Sequence, residues 1–153
     1  MKKIFKIFLV SLVFLFSFAV FFGIFFFFRN NLDNISRKTV SLVVAGHSFN
    51  VEIAEDEDEK SIGLGGRQSL CTDCGMLFVF NKPGKYAFWM KDMLFSLDIL
   101  WIKDKKVVFI EKNISFDSGN KFVSSENADS VLEINAGIVD SFGIRIGDFI
   151  TVQ

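Results

Sequence analysis

Apolar positions along this chain follow two rhythms. From Ile7 to Phe28 no residue is charged, and only Ser11, Ser17 and Gly23 interrupt an apolar run of 22 residues. As a helix the run would be about 33 Å long, enough to cross a hydrocarbon core of ~30 Å with every backbone hydrogen bond made internally. It has no polar face of the kind a surface helix on a soluble core shows. After residue 38 the apolar residues fall into short blocks set off by turn residues, the rhythm of strands. Blocks at 39–44 and 48–53, separated by Ala45-Gly46-His47, predict a hairpin. Residues 54–64 predict a short helix, with Asp56 as N-cap, Glu59 three positions on and Gly63 at the exit. A strand at 75–80 is followed by Lys82-Pro83-Gly84, which predicts a turn, and residues 86–90 are expected to return antiparallel to it. A second hairpin is expected from 97–102 and 106–114, then a loop at 115–127 and a strand at 130–134. One or two helical turns at 136–142 and a strand at 149–152 complete the pattern.

Seven or eight short strands with two small helices predict a mostly β, α+β fold, an antiparallel sheet curled into a small barrel or clip. No helical pattern is long enough for a parallel βαβ crossover. The expected organisation is a basic stub at 1–6, a transmembrane anchor at 7–28, a polar linker at 29–38 and a β-rich domain at 39–153.

Charge adds an orientation. Lys2, Lys3 and Lys6 precede the apolar run and Arg29 follows it, an asymmetry that puts the N-terminus in the cytoplasm and the domain outside. The competing reading is a secreted protein whose signal is cleaved at Ser17-Phe18-Ala19. Signal cores usually run ~7–15 residues, and cleavage there would leave a phenylalanine-rich tail, so an uncleaved anchor is the preferred reading. Residues 1–28 hold 11 of the 21 phenylalanines, and the rest of the chain carries 14 basic and 18 acidic residues. That acidic balance argues against nucleic acid as a partner. Membrane lipid, through Ile7 to Phe28, is the partner the sequence itself names.

The motifs Gly75-Met76-Leu77-Phe78-Val79-Phe80, Phe88-Trp89-Met90-Lys91 and Leu97-Asp98-Ile99-Leu100 resemble the DUF192 (UPF0127) family. The likeness extends to Gly63-Leu64 and Arg67 upstream, and to Val131-Leu132-Glu133-Ile134-Asn135-Ala136-Gly137 and Gly147-Asp148 downstream, over roughly residues 48–152. It implies a compact β-rich domain, often found behind a signal or anchor, and no established activity. The chain departs from the family pattern at Gly65-Gly66, where a bulkier apolar pair is usual, at Asp92-Met93, in place of Asn-Thr, and at Ser96, in place of proline.

Candidate chemistry is sparse. Cys71 and Cys74 form a C-x-x-C, which can be half a zinc site, a redox pair or a staple. A structural zinc site needs four ligands, and two cysteines with His47 fall short, so no metal is expected. A redox dithiol normally opens a helix, whereas this pair precedes a strand. A disulfide that stiffens the loop outside the cytoplasm fits best, with a thiol–disulfide activity as the alternative. His47 lies in a hairpin turn, a poor place for a catalytic histidine. Asp98 and Glu133 each interrupt an apolar strand, and burial would oblige them to find partners; Arg67 and Lys91 are candidates. Arg67, Lys91, Asp98 and Glu133, with Trp89 and Trp101 as apolar walls, therefore make a candidate ligand cleft for a small molecule, glycan or protein segment. The alternative is an envelope hydrolase in which Asp98 and Glu133 act as acid and base. No cofactor is called for, and the balance favours a binding or structural role over an enzyme.

Overall fold

The computed structural model describes residues 18, 20–23 and 37–153. Residues 18 and 20–23 are helical and belong to a first unit, Met1–Ser36. The rest of the expected anchor lies outside the described residues, and among the described residues no helix is long and apolar enough to cross a membrane. The second unit, Arg37–Gln153, carries the fold.

Its strands are β1 (Thr39–Val44), β2 (His47–Ala54), β3 (Cys74–Gly84), β4 (Ala87–Trp89), β5 (Leu97–Lys103), β6 (Lys106–Ile114), β7 (Lys121–Val123), β8 (Ala128–Asn135) and β9 (Ile150–Val152), with helices α1 (Glu57–Ile62) and α2 (Ile138–Phe142). Seven strands form one sheet in the order β6-β5-β8-β3-β2-β1-β9, while β4 and β7 pair separately. The sheet curls towards closure. The start of β6 meets the segment before β9, where Val107 donates to the Asp148 carbonyl at 2.9 Å and Ile150 to that of Lys105 at 2.8 Å.

Local chemistry accounts for the turns. Ala45 and Gly46 both take positive φ between β1 and β2, as do Asp104 and Lys105 between β5 and β6, matching the twist that tight hairpins require. In α1 the capping box forms as read from sequence, with Asp56 accepting from the Glu59 amide and Glu59 from that of Asp56. At Gly75 an added Cβ would lie 2.8 Å from the Glu133 carbonyl oxygen, so the close approach of β3 to β8 requires glycine.

Three expectations need correction. β2 and β3 pair in parallel; the crossover over residues 55–73 is mostly loop, so its reach does not depend on a long helix. Lys82-Pro83-Gly84 ends β3 instead of turning it. The β3–β8 register shifts between Val79 and Gly84, an irregularity where proline's missing N–H is tolerated. In consequence β4 does not return along β3 but pairs with β7, a strand lying in the segment expected to be loop.

Side chains alternate across the sheet and bury both faces. The inner face packs Leu42, Val44, Phe49, Val51, Ile53, Leu100, Ile102, Leu132 and Ile134, with Ile138 and Val139 of α2 joining them. The outer face packs Met76, Phe78, Leu97, Ile99, Trp101 and Val131 beneath Leu64, Met90, Met93 and Phe88. Double coverage explains why β5 reads as an almost unbroken apolar run.

Candidate functional site

On the outer face a cleft of about 760 Å³ opens between α1, the glycine-rich turn that follows it, β4, and the loop after β4. Its apolar walls are Phe78, Phe80, Tyr86, Phe88 and Trp89. Phe80 stacks on Tyr86 with ring centroids 3.5 Å apart, and Phe78 meets Phe88 edge-on at 4.9 Å. Gly63 leaves α1 at φ 53, and a Cβ there would come 3.3 Å from the Phe78 ring. The next turn is tied to the opposite wall, because the Gly66 amide donates to the Asp92 carbonyl at 2.8 Å.

Charged groups at the cleft are Glu57 and Lys60 on α1, Lys91 and Asp92 in the loop after β4, and Glu133 on β8. Lys60 pairs with Glu57 at 2.8 Å and lies 5.2 Å from the centre of the Phe80 ring. Glu133 is the exception among them. It is 5% exposed and lines the cleft from the sheet. Among the described residues its carboxyl has no hydrogen bond and no ion pair, and desolvation pushes its pKa up to about 8. A buried carboxyl without a counter-charge resists ionisation because the charged form loses its water.

Of the six candidate cleft residues, Trp89, Lys91 and Glu133 meet at this cleft. The other three serve the fold. Trp101 is fully buried, and its indole N–H donates to the Tyr86 carbonyl at 3.0 Å. Arg67 grips Glu52 with two hydrogen bonds, one of 2.7 Å to Oε2, and Arg37 approaches the same oxygen at 3.3 Å. The Arg67 guanidinium, and Arg37 beyond it, hold the Glu52 carboxyl below the usual range. The expected partnership of Arg67 with Asp98 or Glu133 is therefore replaced by one with Glu52, which sequence reasoning missed.

Asp98 is also satisfied. Its carboxylate accepts from the Asn113 amide at 2.7 Å and the Val139 amide at 2.8 Å. Asp98 pairs with Ile134 and Ile99 with Glu133 in the β5–β8 register, so Asp98 faces the inner core and Glu133 the outer cleft. An acid–base pair needs both carboxyls at one bond, and a sheet separates these two. The hydrolase reading built on them does not fit the geometry.

Cys71 and Cys74 form the expected disulfide, with Cα atoms 5.1 Å apart. The Asn135 side chain donates to the carbonyls of Leu70 and Cys71 at 3.2 and 2.9 Å, fastening the stapled loop to the end of β8. Cys71, Asp73 and Cys74 are the only ligand-type cluster among the described residues, and its thiols are spent in the bond. His47 stacks on Phe142 at 3.9 Å, away from the residues that line the cleft.

Sequence reasoning also missed Lys60 and the wall of Phe80, Tyr86 and Phe88. One signal was available: Gly65-Gly66 and Asp92-Met93, where the chain departs from the family pattern, all line this cleft.

Solved structures that share the fold include two at 31% identity. One, from Sinorhizobium meliloti and described as a candidate transcription regulator, is 31% identical with a TM-score of 0.75, covering 78% of this chain and 97% of its own. The other, a protein of unknown function from Novosphingobium aromaticivorans, is 31% identical with a TM-score of 0.73, covering 77% of this chain and 89% of its own. Among curated proteins no relative matches. Over residues 40–152 the sequence matches the model of DUF192, "Uncharacterized ACR, COG1430", and the chain belongs to that family.

Proposed function

We propose that this protein is a membrane-tethered, extracytoplasmic binding module whose outer-face cleft takes a small organic ligand. The observation that carries the reading is Glu133, a carboxyl 5% exposed and, among the described residues, without a partner at a cleft of about 760 Å³. That volume is in the range of small-molecule sites, which combine apolar walls with a few placed polar groups. An unpaired buried carboxyl works against folding, and a ligand that satisfies it supplies a reason for its presence. The uncharged run from Ile7 to Phe28 supports the tether, and the Cys71–Cys74 disulfide supports an oxidising compartment.

The description of the Sinorhizobium relative as a transcription regulator does not suit this chain. Residues 29–153 carry 18 acidic and 14 basic residues, a poor surface for the phosphate backbone.

The test is a small-molecule thermal-shift screen on the full chain in detergent, repeated on Ala87→Trp. Ala87 is exposed at the cleft wall, so an indole there fills the space without disturbing the core. Compounds that raise the melting point of the native protein should lose their effect on the variant. Shifts that persist in Ala87→Trp, or a screen with no shifts at all, would overturn the reading.

A further inference from the structure

The cleft contains one buried ionisable group, Glu133, that has no partner among the described residues. Lys60 is paired at 2.8 Å with Glu57, whose side chain is 94% exposed. Lys91 and Asp92 are adjacent and both exposed, where hydration leaves an ammonium little pull on a ligand. Glu133 is different, because it is desolvated and so any charge brought to it acts through a medium of low polarity. The rings that line the same cleft favour the same sign. Aromatic faces attract cations, and two rings of the cleft already attract the protein's own, Lys60 over Phe80 at 5.2 Å and Lys121 over Trp89 at 5.4 Å.

We infer that the cleft recognises a ligand with a primary ammonium group on an apolar, aromatic-sized body, the ammonium pairing with Glu133 and the body lying against Phe88 and Trp89. The inference rests on the cleft being a binding site and names the class of ligand. A neutral ligand would leave Glu133 protonated and serving only as a hydrogen-bond donor. An anion would have to approach a buried acid. A cation pairs with the carboxylate that forms as Glu133 gives up its proton.

Recognition then includes one proton step. The free protein holds a proton on Glu133 at neutral pH; when the ammonium binds, that proton passes to solvent and the ligand keeps its own. Affinity should rise with pH by roughly tenfold per unit below the carboxyl's native pKa. The other titratable groups lining the cleft are Glu57, Lys60, Tyr86, Lys91 and Asp92, and none is a histidine.

Three probes share the fluorophenyl body and carry a cationic, a neutral and an anionic polar group: 4-fluorobenzylamine, 4-fluorobenzyl alcohol and 4-fluorobenzoate. Fluorine NMR of each with the full chain in detergent reads binding directly. The amine should bind at least tenfold more tightly than either other probe at pH 7.5, with affinity rising between pH 6 and 7.5. In Glu133→Gln the amine should fall to the level of the alcohol and lose its pH dependence, while the alcohol changes less than threefold. If the alcohol or benzoate binds as well as the amine, the cleft stands and the ammonium assignment falls. If no probe binds, both fall.

Discussion

Glu52 and Glu133 flank Met76 on one face of the sheet, in register across β2, β3 and β8. Their surroundings differ in a way the sequence does not display. Arg67 and Arg37 converge on Glu52, whereas Glu133 faces a cleft and has only its burial. Arg67 is reached from Glu52 through the long β2–β3 crossover, so no local spacing marks the pair. The contrast has a measurable consequence. In the unfolded chain Glu133 releases its proton near 4.5, and in the native protein only near 8. Between those values the unfolded state binds fewer protons than the native one, so this group makes stability fall as pH rises, and the loss is complete above about 8. Each unit of pKa difference is worth ~1.4 kcal/mol, so the full effect is of the order of several kcal/mol. Glu133→Gln removes it. Urea denaturation should find the variant near native stability at pH 4.5 and progressively more stable than native towards pH 8.5. A difference that stays constant across that range would mean that Glu133 is not held neutral by the fold.

At the scale of elements, Asp98 does for α2 what α2 cannot do for itself. The residue before the helix is Gly137, which has no side chain to cap the exposed amides, and Asp98 reaches across from β5 to take the Val139 amide. Its other oxygen takes the Asn113 amide, where two residues of β6 oppose one of β5 and Asn113 adopts φ 54. One carboxylate thus fixes a bulge and a helix start together. Asp98→Ala leaves the Asn113 and Val139 amides without their acceptor at a fully buried position, and should lower stability by about 2–5 kcal/mol, read by urea denaturation. A ligand of the outer cleft should still raise the melting point of whatever folded variant remains, because Asp98 lies on the other side of the sheet. Apart from β7, the strands were legible, as were the capping box of α1 and the hairpin at Asp104-Lys105, because alternation and turn chemistry are local. The face of each interrupting acid was not. Asp98 and Glu133 look alike in sequence, and a register set by strands far apart in the chain sends them to opposite sides. The same limit hid β4 from β7 and the parallel pairing of β2 with β3, since a partner's identity is a property of the whole sheet.

For the whole molecule, the proposal to test is a tether that holds the domain outside a membrane, and two independent features argue for it. Three lysines precede the apolar run, and only Arg29 directly follows it, which favours retention of the N-terminus in the cytoplasm. Separately, Cys71 and Cys74 are joined, a bond that persists in oxidising compartments and is rare where glutathione keeps thiols reduced. Both favour the proposed topology, with the domain outside. Alkaline phosphatase fused after Gln153 should therefore be active, and a cytoplasmic reporter at the same position inactive. Changing Lys2, Lys3 and Lys6 to glutamate removes the asymmetry and should reduce phosphatase activity severalfold as a fraction of the chains inserts in reverse. The mature polypeptide should retain residues 1–19 and sediment with membranes. If it begins near Val20 and stays in the aqueous fraction, the apolar run is a cleaved signal and the domain is secreted. An inactive phosphatase fusion with an active cytoplasmic reporter would instead leave the disulfide without the compartment that sustains it, and would overturn the proposed extracytoplasmic location itself.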